Sequence, residues 1–116
     1  TVATESIYMF SVNPKYYYDN VAVKEPAKSG KLRNLRNVWE CTVSKKGGHH
    51  TATYPEKLIE PCILAGSPRG GTVLDPFGGS GTTAACALRN GRNAISIDLN
   101  PEYTDMATKR CAFIPS

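Results

Sequence analysis

Residues Thr72 to Thr83, T-V-L-D-P-F-G-G-S-G-T-T, leave few folds open to this chain. The β-branched and apolar run Thr72 to Leu74 has the character of a short buried strand. Gly78, Gly79 and Gly81 then crowd around Ser80 in a tight turn, and from about Thr82 the run through Ala84, Ala85, Ala87 and Leu88 predicts a helix. Strand, glycine turn, helix is the unit with which open α/β folds cradle a nucleotide. A second apolar run, Ala94 to Ile97, ends in Asp98, roughly twenty residues after the first strand, where such folds place a carboxylate for ribose hydroxyls.

The flanking signals extend the pattern. Thr53 and Glu56 have capping-box spacing, and Pro55 suits the first turn of a helix whose apolar stripe is Leu58, Ile59, Cys62 and Ile63. Pro61 should kink or shorten that helix, because it removes a backbone bond and crowds the preceding turn. Gly91 is a natural left-handed cap after the second helix. Asn100-Pro101-Glu102 opens a third helix that closes on Lys109 and Arg110. From Thr53 on, the order α-β-α-β-α predicts parallel strands and a right-handed crossover. Upstream, Glu5 to Val12 and Asn37 to Val43 read as strands, and Ala22 to Arg36 as a mobile surface segment. Tyr16, Tyr17 and Tyr18 either stack on bases or pack half-buried under a loop, the second being favoured. The 116 residues form one compact unit: a strand-rich, basic part over 1–48 and a β-α-β-α part over 49–116.

The net charge of +4 is unevenly placed. Lys24, Lys28, Lys31, Arg33, Arg36, Lys45 and Lys46 face only Glu25 and Glu40, which is either a solvated basic loop or a surface for a polyanion, nucleic acid first. Cys41, Cys62, Cys86 and Cys111 contain no C-x-x-C pair, so disulfide and zinc patterns are missing and no metal is expected. No apolar run is long enough for a membrane, and the expected setting is a reducing cytoplasm. Thr1 and Ser116 suggest a piece cut or processed from something longer.

The glycine turn can be narrowed. A P-loop needs a lysine after its last glycine, and Gly81 is followed by Thr82. Gly79-Ser80-Gly81 is only half of a dinucleotide fingerprint and is also compatible with a purely structural turn. Asp75, at the carboxyl end of the strand, would repel a pyrophosphate and attract an ammonium or sulfonium. That favours S-adenosylmethionine over a nicotinamide cofactor. Asp98 would take the ribose, unless it is only an acid preceding a helix.

At these residues a family resemblance enters. Val73 to Thr83 resembles the D-P-F-x-G-S-G-T-T cofactor motif of bacterial and phage DNA methyltransferases that modify exocyclic amino groups, adenine N6 or cytosine N4. Ile95 to Tyr103 resembles their next motif, and His50 to Pro55 followed by Leu58 resembles their H-x-A-x-F/Y-P element. Tyr16 to Pro26 and Val38-Trp39 look like their approach segment, so the resemblance covers about residues 16–111. It implies a partial Rossmann-like methyltransferase fold, α/β with parallel strands and flanking helices. It implies a cofactor pocket of His50, Thr51, Ala52, Thr53, Tyr54, Pro55, Asp75, Pro76, Phe77, Gly78, Gly79, Ser80, Gly81, Thr82, Asp98 and Leu99. Within it Thr51 to Pro55 would close the methionine side and Leu99 would wall the adenine.

The motif order matches the permuted class, whose catalytic D/N/S-P-P-Y/F/W motif lies in the amino-terminal half. These residues do not contain it. Asn100-Pro101-Glu102-Tyr103 carries Glu in place of the second proline, and Asp75-Pro76-Phe77 belongs to the cofactor motif. No catalytic residue is therefore assigned, and the isolated chain is expected to be inactive. The implied partners are DNA, along the seven basic residues above, and a missing half or second chain carrying the catalytic motif. Strand edges left open by a partial sheet also favour self-association. Three alternatives stay beside this reading: one half of a split enzyme, a non-catalytic cofactor- or DNA-binding module, and a fragment of a nicotinamide-dependent oxidoreductase.

Overall fold

A computed structural model describes residues 4–41 and 54–115. Its elements are β1 (Glu25–Pro26), β2 (Leu32–Arg33), α1 (Glu56–Gly66), β3 (Thr72–Asp75), α2 (Thr82–Arg89), β4 (Asn93–Ser96) and α3 (Pro101–Cys111). β3 and β4 pair in parallel, with Val73 opposite Ala94 and Asp75 opposite Ser96. The expected α-β-α-β-α order is therefore present, with α2 crossing between the strands.

α2 is the centre of this arrangement. Ala85, Cys86 and Ala87 are fully buried, and such small side chains let a helix lie close to several neighbours at once. Ile63 of α1 joins Cys86 and Ala87 in the core, with Ile59, Val73 and Ala94 packed against them. The pleat alternates accordingly. Val73 and Ala94 turn to the helices, while Leu74, Ile95 and Ile97 stand at least half exposed on the opposite face. Parallel sheets are ordinarily covered on both faces. Among the described residues this one is covered on one.

Pro61 lies inside α1 without ending it; the helix runs its eleven residues to Gly66. Pro55 is its N-cap, with no side-chain cap bond, and Thr53 lies outside the described residues. Glu56 binds Arg89 and Arg110 instead. The caps of the other helices follow the sequence. Gly91 has φ +77°, and the Asn100 side chain accepts from the Glu102 amide at 3.0 Å.

The amino-terminal expectations fare differently. Residues 4–12 form no strand, and Phe10 and Val12 are almost wholly exposed. Residues 37–41 likewise form none, and 42–43 lie outside the described residues. The alternation is present in both runs, but a strand exists only when its backbone finds a neighbour, and neither run has one among the described residues. Part of the segment expected to be irregular is ordered instead. β1 and β2 form a short antiparallel hairpin, with Glu25 opposite Arg33. The Asp19 amide donates to the Ala65 carbonyl at 2.9 Å, fixing this part of the chain to the end of α1.

Candidate cofactor site

Two loops leave the carboxyl ends of β3 and β4 side by side. The Gly78 amide donates to the Ile97 carbonyl at 2.8 Å, and the Gly79 amide donates to Asp98 Oδ2 at 2.9 Å. A side chain at position 78 would overlap Ser96 Oγ, with 1.8 Å between that oxygen and the added Cβ. Gly81, at φ +90°, lets α2 start against α3: a Cβ there would lie 2.8 Å from Ala107 Cβ. Packing alone thus accounts for two of the glycines. Gly79 is different. It is left-handed at φ +53°, and a Cβ there would meet nothing within 4 Å, so the turn's outer side is open to a ligand.

The carboxylates are held by backbone. Asp75 Oδ1 accepts the Phe77 amide at 3.0 Å, and Asp98 Oδ1 accepts the Asn100 amide at 2.8 Å. An ionised carboxylate offers about four acceptor positions, so each retains capacity for a ligand donor. Phe77 (87% exposed) and Leu99 (101%) project from the two loops, apolar and uncovered. Pro76 is exposed and Ser80 half-buried in the same turn.

Tyr54 reaches the site from the residue preceding α1. Its hydroxyl donates to Asp75 Oδ2 at 3.1 Å and also contacts Thr83 Oγ1. Burial pushes the Tyr54 hydroxyl above its ordinary pKa; the Thr83 hydrogen bond opposes this, and the Asp75 charge reinforces it. The neighbouring Pro55 is half-buried. His50, Thr51, Ala52 and Thr53 lie outside the described residues.

Thr82 and Thr83 separate by helical phase. Thr82 Oγ1 accepts from Arg110 of α3 at 2.9 Å, so this hydroxyl is engaged by protein. Thr83, one residue on, turns to Tyr54, which in turn bonds Asp75. The sequence places Thr82 in the pocket and gives Thr83 and Arg110 no role, since adjacent threonines at a helix start look alike until the neighbours are placed. A cavity of about 450 Å³ between α1 and β3 has Tyr54, Asp75 and Thr83 in its lining, along with Ile59, Cys62 and Val73.

The basic segment divides. Lys24, Lys28, Lys31 and Arg36 are exposed, Lys28 within the loop joining β1 to β2. Arg33 is paired with Glu25 at 3.1 Å, and the same carboxylate oxygen accepts the Arg36 amide. Lys45 and Lys46 lie outside the described residues. Tyr16, Tyr17 and Tyr18 are about half exposed. Among the described residues no cluster of His, Cys, Asp and Glu is arranged for a metal ion, and no helix is long and apolar enough to cross a membrane.

The family profile described as DNA methylase (N6_N4_Mtase) matches residues 1–109. The Type II methyltransferase M.Cfr9I of Citrobacter freundii is 46% identical over 110 residues, covering 95% of this chain and 37% of the relative. The chain thus spans little more than a third of that relative's length. Among solved structures, the PvuII cytosine-N4-specific DNA methyltransferase superposes with a TM-score of 0.65 at 28% identity, over 86% of this chain and 36% of that one. A complex of M1.HpyAVI with SAM gives 0.57 at 29% identity, over 83% and 44%.

Proposed function

The chain belongs to the N6_N4_Mtase family of DNA methylases, and from that premise we propose that it is the S-adenosylmethionine-binding part of a methyltransferase acting on an exocyclic amino group of DNA, adenine N6 or cytosine N4. The observation that carries this reading is the placement of Asp75 and Asp98 at the carboxyl ends of two parallel strands, with the open side of Gly79 between them. Ligands of open α/β sheets bind at that end of the strands.

The residues fit the cofactor. Asp75 carries negative charge toward a cationic methionine end, and Asp98 retains acceptor capacity for ribose hydroxyls. Leu99 would offer an apolar wall for adenine, and Phe77 would lie with Asp75 on the methionine side. When bound, S-adenosylmethionine would supply a methyl group activated by its sulfonium. The chain's own contribution is to hold and orient that group: fixed carboxylates and backbone keep the donor in one geometry, and such positioning supplies a large part of the rate of a two-substrate transfer. Thr51 to Pro55 belong to the methionine side in this reading, with Tyr54 the member whose contacts are described.

The exposed Lys24, Lys28, Lys31 and Arg36 would face the phosphate backbone of DNA, together with Lys45 and Lys46. Arg33 serves the hairpin through Glu25. The motif that would receive the flipped base is not among these residues. The exposed sheet face of Leu74, Ile95 and Ile97 supports the need for further polypeptide, in the same chain or a partner, to complete the enzyme. Its setting would be a bacterial or phage-encoded cytoplasmic system.

Calorimetry with S-adenosylmethionine, followed by transfer of tritiated methyl groups to DNA, tests the proposal. The chain alone should bind cofactor and transfer nothing. Mixing it with a polypeptide carrying D/N/S-P-P-Y/F/W should restore transfer. Absence of cofactor binding would remove the central claim.

A further inference from the structure

We infer that the Tyr54 hydroxyl is a positioning group for the Asp75 carboxylate, held by Thr83 and acting on affinity for the charged methionine end of the cofactor. This deepens the cofactor reading and rests on it. The hydrogen-bond inventory fixes the direction of the chain of donors. A tyrosine has one hydroxyl proton, and Asp75 Oδ2 can only accept it when ionised. Thr83 Oγ1, in contact with the Tyr54 hydroxyl oxygen, is then left to donate to that oxygen. The order is Thr83 to Tyr54 to Asp75.

The consequence for Asp75 is orientational. The terminal torsion of an aspartate is broad and two-fold. Here the Phe77 amide holds one oxygen and Tyr54 the other, so the carboxylate plane is set before any ligand arrives. Both donors are neutral, which leaves the full negative charge to a cation. The three residues also come from three elements: the segment before α1, the end of β3 and the first turn of α2. The hydroxyl thereby ties the residue preceding Pro55 and α1 to the strand that carries the acid. A phenylalanine would fill the same space and do none of this. The family pattern allows either residue, so sequence alone gives the hydroxyl no role.

The test compares two probes on the full chain: S-adenosylmethionine, which has the cationic methionine end, and 5′-methylthioadenosine, which lacks it. Tyr54→Phe should raise the Kd for S-adenosylmethionine by roughly tenfold, the scale of ordering one freed side chain on binding. Its affinity for 5′-methylthioadenosine should stay near wild type, while its urea midpoint should fall by no more than the loss of these hydroxyl bonds predicts. Thr83→Val should act in the same direction, and Thr83→Ser, which keeps the hydroxyl, should restore most of the affinity. Unchanged binding of S-adenosylmethionine by Tyr54→Phe overturns the assignment. Equal losses for both probes overturn it too, since they would mark a general change in pocket shape. A wild-type chain that binds neither probe overturns this inference and the cofactor reading together, whereas the first two results leave the cofactor reading standing.

Discussion

The Gly79 amide and the Asp98 carboxylate are joined by a 2.9 Å hydrogen bond across nineteen residues of chain, so the acid proposed for the ribose also holds the glycine turn in place. Asp98 accepts a second amide, that of Asn100, at 2.8 Å. Its removal therefore touches folding as well as binding.

Asp98→Ala should cost about 1–3 kcal/mol of stability, because two amides lose a charged acceptor in a half-buried site. Asp98→Asn retains an acceptor and should cost less, while still weakening S-adenosylmethionine. Urea unfolding and calorimetry on both variants separate the two effects. Equal stability of the alanine variant and wild type would show that water replaces the carboxylate without loss.

The glycines should rank by what their missing side chains would meet. Gly81→Ala combines φ +90° with an overlap on Ala107 across the α2–α3 contact, and should destabilise by more than about 2 kcal/mol. Gly79→Ala adds a Cβ in open space, so only the left-handed backbone is penalised, by about 1–2 kcal/mol. For cofactor affinity the order should reverse among folded variants, since only Gly79 borders the open side. Thermal unfolding paired with binding isotherms checks both rankings.

Arg92 is a buried guanidinium, 6% exposed, whose hydrogen bonds go to carbonyl oxygens at helix ends and, from Nε, also to the Ser67 hydroxyl. Its Nη2 donates to the Ser67 carbonyl at 2.7 Å, at the C-cap of α1, and its Nη1 to the Asn90 carbonyl at 2.6 Å, at the C-cap of α2. Positive charge at the negative ends of two helices is favourable, and the planar fork serves both. Arg92→Met should lose about 2–4 kcal/mol, and Arg92→Lys should recover little of it, since an ammonium lacks the fork. Denaturant midpoints decide this; full rescue by lysine would mean that charge alone matters.

The Cys86 thiol is pushed up to about 11, by burial first and then by Glu56 and Glu60. An unfolded chain releases this proton near the model-peptide value of 9.0, while the folded chain keeps it. Stability from this group is complete below pH 9 and falls between pH 9 and about 11, by at most about 1.4 kcal/mol per pH unit. Cys86→Ala should flatten the stability profile in that window. In the native protein at pH 8, Cys86 should resist alkylation while the partly exposed Cys41 and Cys111 react, as read by mass spectrometry.

The carboxy-terminal half was largely legible in the sequence. Apolar period, the Asn100-Pro101-Glu102 cap and Gly91 act within one or two turns of chain, so short-range rules suffice for them. The same rules misjudged Glu5 to Val12, because alternation expresses a capacity for pairing and the partner strand is decided elsewhere. They also expect Pro61 to kink or shorten α1, and the helix runs through it to Gly66. Packing of Ile59 and Ile63 against α2 and β3 favours the helix beyond it. In the basic segment, counting charges could not separate Arg33, bound to Glu25, from the exposed lysines beside it.

By itself, then, the sequence determined the order of strands and helices, the glycine turn and the two acids that flank it, because each depends on neighbours close in the chain. Only the tertiary structure decided how the glycines and hydroxyls divide their work. Gly78 and Gly81 answer to Ser96 and Ala107, Thr82 to Arg110, and Thr83 to Tyr54, which holds Asp75. Those relationships depend on close approach between segments distant in sequence, where an ångström separates a hydrogen bond from a clash.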